Sequence, residues 1–191
     1  MTGARGARGK GARRRDELAH AAATLILRDG PDALTHRRVA AEAGASLSAT
    51  TYYFASLDDL AAAAGHALAD EWAAHARAIL AAAPAVTVQD DPSAAARVLV
   101  DAVLPAGDDD AVRGHYEHLL RVGRHAPLAT AFAGRRAVVD AVLGELVERV
   151  GSPTSAAVTT AVVDGAVVTA LTEQRPVRAT ARALLLEAWG R

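Results

Sequence analysis

The 191-residue chain has no cysteine. Disulfides, thiolate-bound zinc and thiol chemistry are therefore excluded, and a reducing compartment suits it. Aromatic residues are scarce, at 4% of the chain. With 51% apolar residues, the core has to be built from Ala, Val and Leu. No run of about 20 apolar residues is present to span a bilayer. The N-terminus is rich in Arg but lacks the apolar stretch of about 7–15 residues that marks a signal peptide. These absences lead to the expectation of a soluble, cytoplasmic protein. A Gly-rich phosphate loop, a nucleophile elbow and a carboxylate pair are also missing, which argues against catalysis.

Ala is present in long runs, and it is the strongest helix former. No strand alternation and no internal repeat stand out, so the expected fold is all-α. The net charge of −1 conceals an asymmetry. Residues 1–57 carry a balance of +4 and residues 58–191 a balance of −5. The first 15 residues hold six basic groups and no acid. A basic front on an acidic body suits a protein that docks one end onto a polyanion; a solubilising tail gives the same pattern.

Residues 1–12 have no apolar periodicity and read as a flexible basic arm. From Arg13 the pattern is helical, with Leu18, Ala22, Leu25 and Ile26 on one face, up to the Asp29-Gly30-Pro31 stop. A short helix at about 36–43 ends at Gly44, a natural left-handed stop. Ser46 caps a second short helix at about 47–53. Ser56-Leu57-Asp58-Asp59 has the form of a capping box and opens a long helix to about Ala83. Further helices are expected at about 93–104, 110–125, 127–150, 153–174 and 177–189, separated by Pro105, Pro127 and Gly151-Ser152-Pro153. The chain is expected to divide into the arm (1–12), a three-helix N-terminal domain (13–56) and a helical body (57–191).

Three short helices with a tight Gly turn between the last two form a helix-turn-helix arrangement. Its last helix enters the DNA major groove, about 12 Å wide, and so has to be short, polar outside and free of acids. Ser46-Leu47-Ser48-Ala49-Thr50-Thr51-Tyr52-Tyr53 meets this: it has no Asp or Glu, and its hydroxyls suit phosphates and base edges.

At this point the residues carry a resemblance. Gly30 to Ser46, and Ser48-Ala49-Thr50-Thr51-Tyr52-Tyr53-Phe54 running on to Leu60, resemble the two halves of the TetR-family signature, over about residues 13–65. The resemblance implies a bacterial, ligand-responsive regulator, in most cases a repressor, that works as a homodimer on a pseudo-palindromic operator. It places Thr35, His36 and Arg37 at the DNA from the start of the second helix. Ser46, Ser48, Ala49, Thr51, Tyr52 and Tyr53 would lie along the recognition helix, while Val39, Ala45 and Phe54 would be core. Thr50 stands where the family has an aliphatic core residue, so its hydroxyl is expected to be half-buried. Leu57 stands where many members carry a phosphate-binding Lys, and Thr51 where an aromatic is common. Arg13, Arg14 and Arg15, with the rest of the arm, are candidates to compensate.

By the same resemblance the body would bind a small-molecule effector and hold the dimer. Trp72, His75, Asp101, His115, Tyr116, His118, Arg121 and Asp140 are the candidate effector-binding residues. Val158, Ala161, Val162, Gly165, Ala166, Thr169, Leu184, Leu185 and Trp189 form the candidate dimer surface, small and largely apolar as close helix packing requires. No cofactor or metal is expected. Two alternatives stay open: a helical protein–protein adaptor, or a metal-dependent enzyme built on the His115-x-x-His118 pair.

Overall fold

The computed structural model describes the backbone of residues 3–191, with side chains from Lys10 onward. The described residues form ten α-helices and no strand. In chain order these are α1 (Gly3–Asp29), α2 (His36–Glu42), α3 (Leu47–Tyr53), α4 (Leu57–Ala82) and α5 (Pro92–Val103). They continue with α6 (Asp109–Val122), α7 (Ala126–Gly134), α8 (Arg136–Arg149), α9 (Ala156–Thr172) and α10 (Val177–Ala188). A 3₁₀ turn, Pro31–Ala33, links α1 to α2. Among the described residues no helix is long and apolar enough to cross a membrane.

The local chemistry explains the short helices. Thr35 caps α2 by accepting from the Arg38 N–H, and Ser46 caps α3 by accepting from the Ala49 N–H, both at 3.2 Å. Gly44 turns the chain out of α2 with φ 56, a left-handed conformation that costs Gly little. Pro92 opens α5 behind the Asp91 cap, where a missing N–H loses nothing.

The chain folds into two compact units. The first runs to Ala69 and takes in Gly114–Arg135; the second is Asp70–Arg113 with Arg136–Arg191. In the first, Leu18, Ala22, Leu25 and Ile26 of α1 are buried with Leu34, Val39, Phe54 and Leu60, and Leu128 of α7 joins the same cluster. Thr50 is fully buried rather than half-buried, and its hydroxyl donates to the Leu47 carbonyl at 2.7 Å, so no polar group is stranded. In the second unit, α5 packs against α8, α9 and α10, and α9 packs against α10. Ala and Val supply most of that core, including Ala95, Val100, Val163 and Val167.

The structure departs from the sequence reading in three further places. Helix α1 already begins at Gly3, where the composition predicts an irregular arm through residue 12; Ala, Arg and Lys favour helix, and extending a helix needs no new nucleus. The helix expected at 127–150 is two, broken at Arg135. The first unit also extends beyond residue 56, because α4 and α7 lie close. A Cβ on Gly65 would stand 2.5 Å from the Leu128 carbonyl oxygen, so only Gly permits this approach.

Candidate nucleic-acid interface

Residues at the end of α1 set the position of α2. Arg28 pairs with Asp29 and with Glu42, and Arg38 pairs with Asp29. The hydrogen bond from Arg28 holds the Asp29 carboxyl below its ordinary range. Arg38 and Arg28 are thus paired within the protein, through partly exposed ion pairs. Arg37, one residue away, is exposed and forms no ion pair among the described residues. It is the guanidinium left free beside Thr35 and His36 at the start of α2. Thr35 is exposed, with its hydroxyl oxygen used as the cap; His36 is half-buried, with Nδ1 unpartnered.

Helix α3 presents Ser46, Leu47, Ser48, Thr51 and Tyr52 to the outside, and Ala49 is half-buried. The two tyrosines divide. Tyr52 is 82% exposed, whereas Tyr53 is half-buried, packs on the core and lies over Gly11 of α1. Their rings meet edge to face at 5.0 Å. Tyr52 is therefore placed to reach outward, and Tyr53 serves chiefly to seat α3 on α1. Phe54 and Val39 are core as expected, and Ala45 is partly buried against the same cluster.

The basic end of α1 is partly neutralised. Glu17 lies 2.7 Å from Arg14 and 3.5 Å from Arg13, and the Arg14 hydrogen bond holds its carboxyl below the usual range. These exposed pairs are worth little and are screened by salt, so both arginines remain exchangeable toward phosphate. Arg15 stacks its guanidinium on Phe54, 4.9 Å from the ring centre.

Leu47 was not singled out by the sequence, yet it is 51% exposed. Its spacing to Thr50 and Phe54, both buried, is that of a core face.

The eight residues expected at an effector site separate into two groups. His115, Tyr116, His118 and Arg121 belong to the first unit. There Arg121 pairs with Asp32, and His125 Nε2 donates to the same carboxylate at 3.1 Å. Arg121 and His118 also lie against Gly30, so this end of α6 braces the α1–α2 link. His115 is pushed below its ordinary value by burial and by the neighbouring His118.

The other four lie in the second unit. His75 donates to the Asp101 carbonyl at 2.8 Å, and Arg178 pairs with the Asp101 carboxylate at 2.8 Å, so both are structural ties. Trp72 and Asp140 meet through Arg136. This guanidinium stacks 4.9 Å from the indole centre and pairs with Asp140 at 2.7 Å, while the buried Trp72 Nε1 has no hydrogen-bond partner. No group of three or more metal-ligating side chains occurs among the described residues.

The candidate dimer surface also divides. Val158, Ala161 and Gly165 of α9 are exposed, with Val168 beside them, and Val162 and Thr169 are half-exposed. Ala166, Leu185 and Trp189 are instead buried within the protomer, and the Trp189 indole donates to Thr154 Oγ1 at 3.1 Å. These three belong to the intrachain core, because Val163, Ala166 and Ala170 share the opposite face of α9 from Val158, Ala161 and Gly165. Leu184 is half-buried.

Known proteins resemble this chain in sequence and in fold. Residues 90–191 match the family described as tetracyclin repressor-like, C-terminal domain. The structure of the multidrug binding protein EbrR complexed with proflavin is 34% identical, with 91% of this chain and 98% of that one covered and a TM-score of 0.61. A member of the TetR family from Streptomyces coelicolor A3 is 32% identical over 91% of this chain and 96% of the other, with a TM-score of 0.56. A transcriptional regulator from Rhodococcus sp. Rha1, at 21% identity, 90% and 93% coverage and a TM-score of 0.61, shares the fold. No curated protein sequence matches. With more than half of its length matched and with these relatives, the chain belongs to the TetR family of DNA-binding transcriptional regulators.

Proposed function

We propose that this regulator is a ligand-responsive repressor, acting in the cytoplasm as a homodimer on a pseudo-palindromic operator. The observation that carries the reading is the outer surface of α3: it is short, free of acids, rigidly capped at Ser46, and flanked by the unpaired Arg37. Such a helix suits the major groove, with base edges read from α3 and phosphates held by Arg37, Tyr52 and the arginines at 13 and 14. Two copies related by a two-fold axis would set two such helices one DNA turn apart, about 34 Å.

The exposed apolar line Val158–Ala161–Gly165–Val168 on α9 supports the dimer. Small residues there allow two helices to approach closely. The functional division is an N-terminal DNA-binding part and a helical body for effector and dimer.

For the effector, the Trp72–Arg136–Asp140 group is the strongest candidate. An aromatic face beside a carboxylate suits a planar organic cation, and the similar EbrR is complexed with proflavin and with ethidium. The resident Arg136 guanidinium already occupies that face and illustrates the chemistry. A ligand that displaces it would release operator only by its differential affinity for the non-binding state. Helix α4 runs through both compact units and is the covalent route for such a change. The test is a titration of proflavin into the protein bound to a duplex selected from a random pool. Because a planar cation also intercalates into DNA, dye binding is first measured on the free protein and on Trp72→Ala; binding lost in that variant, with DNA release by the unaltered protein only, supports the reading, and dye binding unaffected by the variant, or none, removes the effector assignment.

A further inference from the structure

The hydroxyls of the recognition helix are largely spent on the helix itself. Thr50 Oγ1 donates to the Leu47 carbonyl at 2.7 Å. Thr51 Oγ1 donates to the Leu47 and Ser48 carbonyls, each at 3.2 Å. Ser46 Oγ accepts from the Ala49 N–H and lies 2.9 Å from Ser48 Oγ. Of these four hydroxyls, only one proton in the Ser46–Ser48 pair is left without an acceptor in the protein.

Beside the Tyr52 phenol, the outward surface therefore offers an exposed aliphatic side chain. Leu47 is 51% exposed and Tyr52 is 82% exposed. Thr51 is exposed, and with its hydroxyl turned back to the helix its methyl is the part free to meet a base. No side chain on α3 carries the paired donors with which Arg reads guanine, or the donor and acceptor with which Asn reads adenine. A long apolar side chain left in water on a helix that enters the major groove has one chemical partner there, the thymine C5-methyl group, the only apolar group among the base edges.

Resting on the operator-binding reading above, we propose that Leu47 is a specificity-determining residue that reads the C5-methyl of a thymine in each half-site, with the Thr51 methyl beside it. The half-site therefore contains a thymine whose methyl, rather than its hydrogen-bonding edge, is selected. Burying one methyl-sized apolar group against Leu47 is worth about a fourfold change in affinity.

The probes are duplexes selected from a random pool by the intact protein, resynthesised with uracil replacing thymine one position at a time. At the thymine Leu47 faces, uracil lowers affinity about fourfold. At that position 5-methylcytosine paired with guanine binds better than plain cytosine, which separates methyl reading from reading of the O4 acceptor. Leu47→Ala, an exposed substitution whose fold is checked by circular dichroism, binds the thymine and uracil duplexes alike. Equal binding of thymine and uracil duplexes by the unaltered protein throughout the half-site overturns the proposal. So does thymine preference that persists in Leu47→Ala. If no sequence is enriched from the pool, the operator reading itself fails, and this inference falls with it; an enriched site indifferent to methyls removes the inference alone.

Discussion

Arg37 and His115 carry the two most direct consequences at the scale of single residues. Arg28 and Arg38 are tied to Asp29 and Glu42, which leaves Arg37 as the cation of α2 with no ion pair among the described residues. Arg37→Ala is expected to weaken binding about equally on all DNA sequences and to make the salt slope shallower by about 1, the share of a single neutralised phosphate. Affinity measured across a salt series checks this; an unchanged slope assigns Arg37 to the solvent. His115 is held below its ordinary value of 6.5 by burial and by His118. The unfolded chain therefore binds a proton at a pH where the folded chain does not. Its contribution to stability is complete above 6.5 and is lost as the pH falls from there through the lowered folded value. Urea unfolding on both sides of 6.5 is expected to show this decline, and His115→Gln to flatten it. At this scale the sequence was only partly legible. Residue types marked out the short, acid-free helix α3, but Leu47 has the spacing of a core residue, and the inward turn of the threonine hydroxyls depends on rotamers that composition does not encode. The Tyr52–Tyr53 pair divides because Gly11 gives the second ring a seat on α1, a long-range packing arrangement with no local signal.

Helix boundaries were legible wherever a cap or a breaker marks them. Ser46, Gly44 and the Ser56 capping residue each act as expected on α2 to α4. The break between α7 and α8 was not, since Gly134 and Arg135 carry no proline and the apolar spacing runs on through them. The close approach of α4 to α7 hid in a single Gly within an Ala-rich run. Gly65→Ala would set a Cβ 2.5 Å from a backbone oxygen and 3.0 Å from Ala131 Cβ. It is expected to cost about 1–3 kcal/mol of stability, as overpacking does, measured by denaturant unfolding. An unchanged midpoint would mean that the two helices separate freely.

For the whole molecule, the account requires two copies. The exposed line on α9 includes Val158 at 47% and Val168 at 56% exposure, while Leu185 and Trp189, expected on the same surface, close the protomer's own core. Helix α9 is apolar on both faces, so periodicity alone does not separate the buried Ala166 from the exposed Val158, Ala161 and Gly165. Val168→Glu places a charge on the outer face only. Sedimentation is expected to show a monomer with normal helicity; a persistent dimer would put the interface elsewhere.

The central claim is sequence-specific DNA binding by a symmetric dimer, and selection of duplexes from a random pool by the purified protein tests it most directly. The account predicts enrichment of one inverted repeat, its half-sites about one helical turn apart, with affinity that falls steeply as salt rises. Weak binding of all sequences alike, or none at low salt, would contradict it.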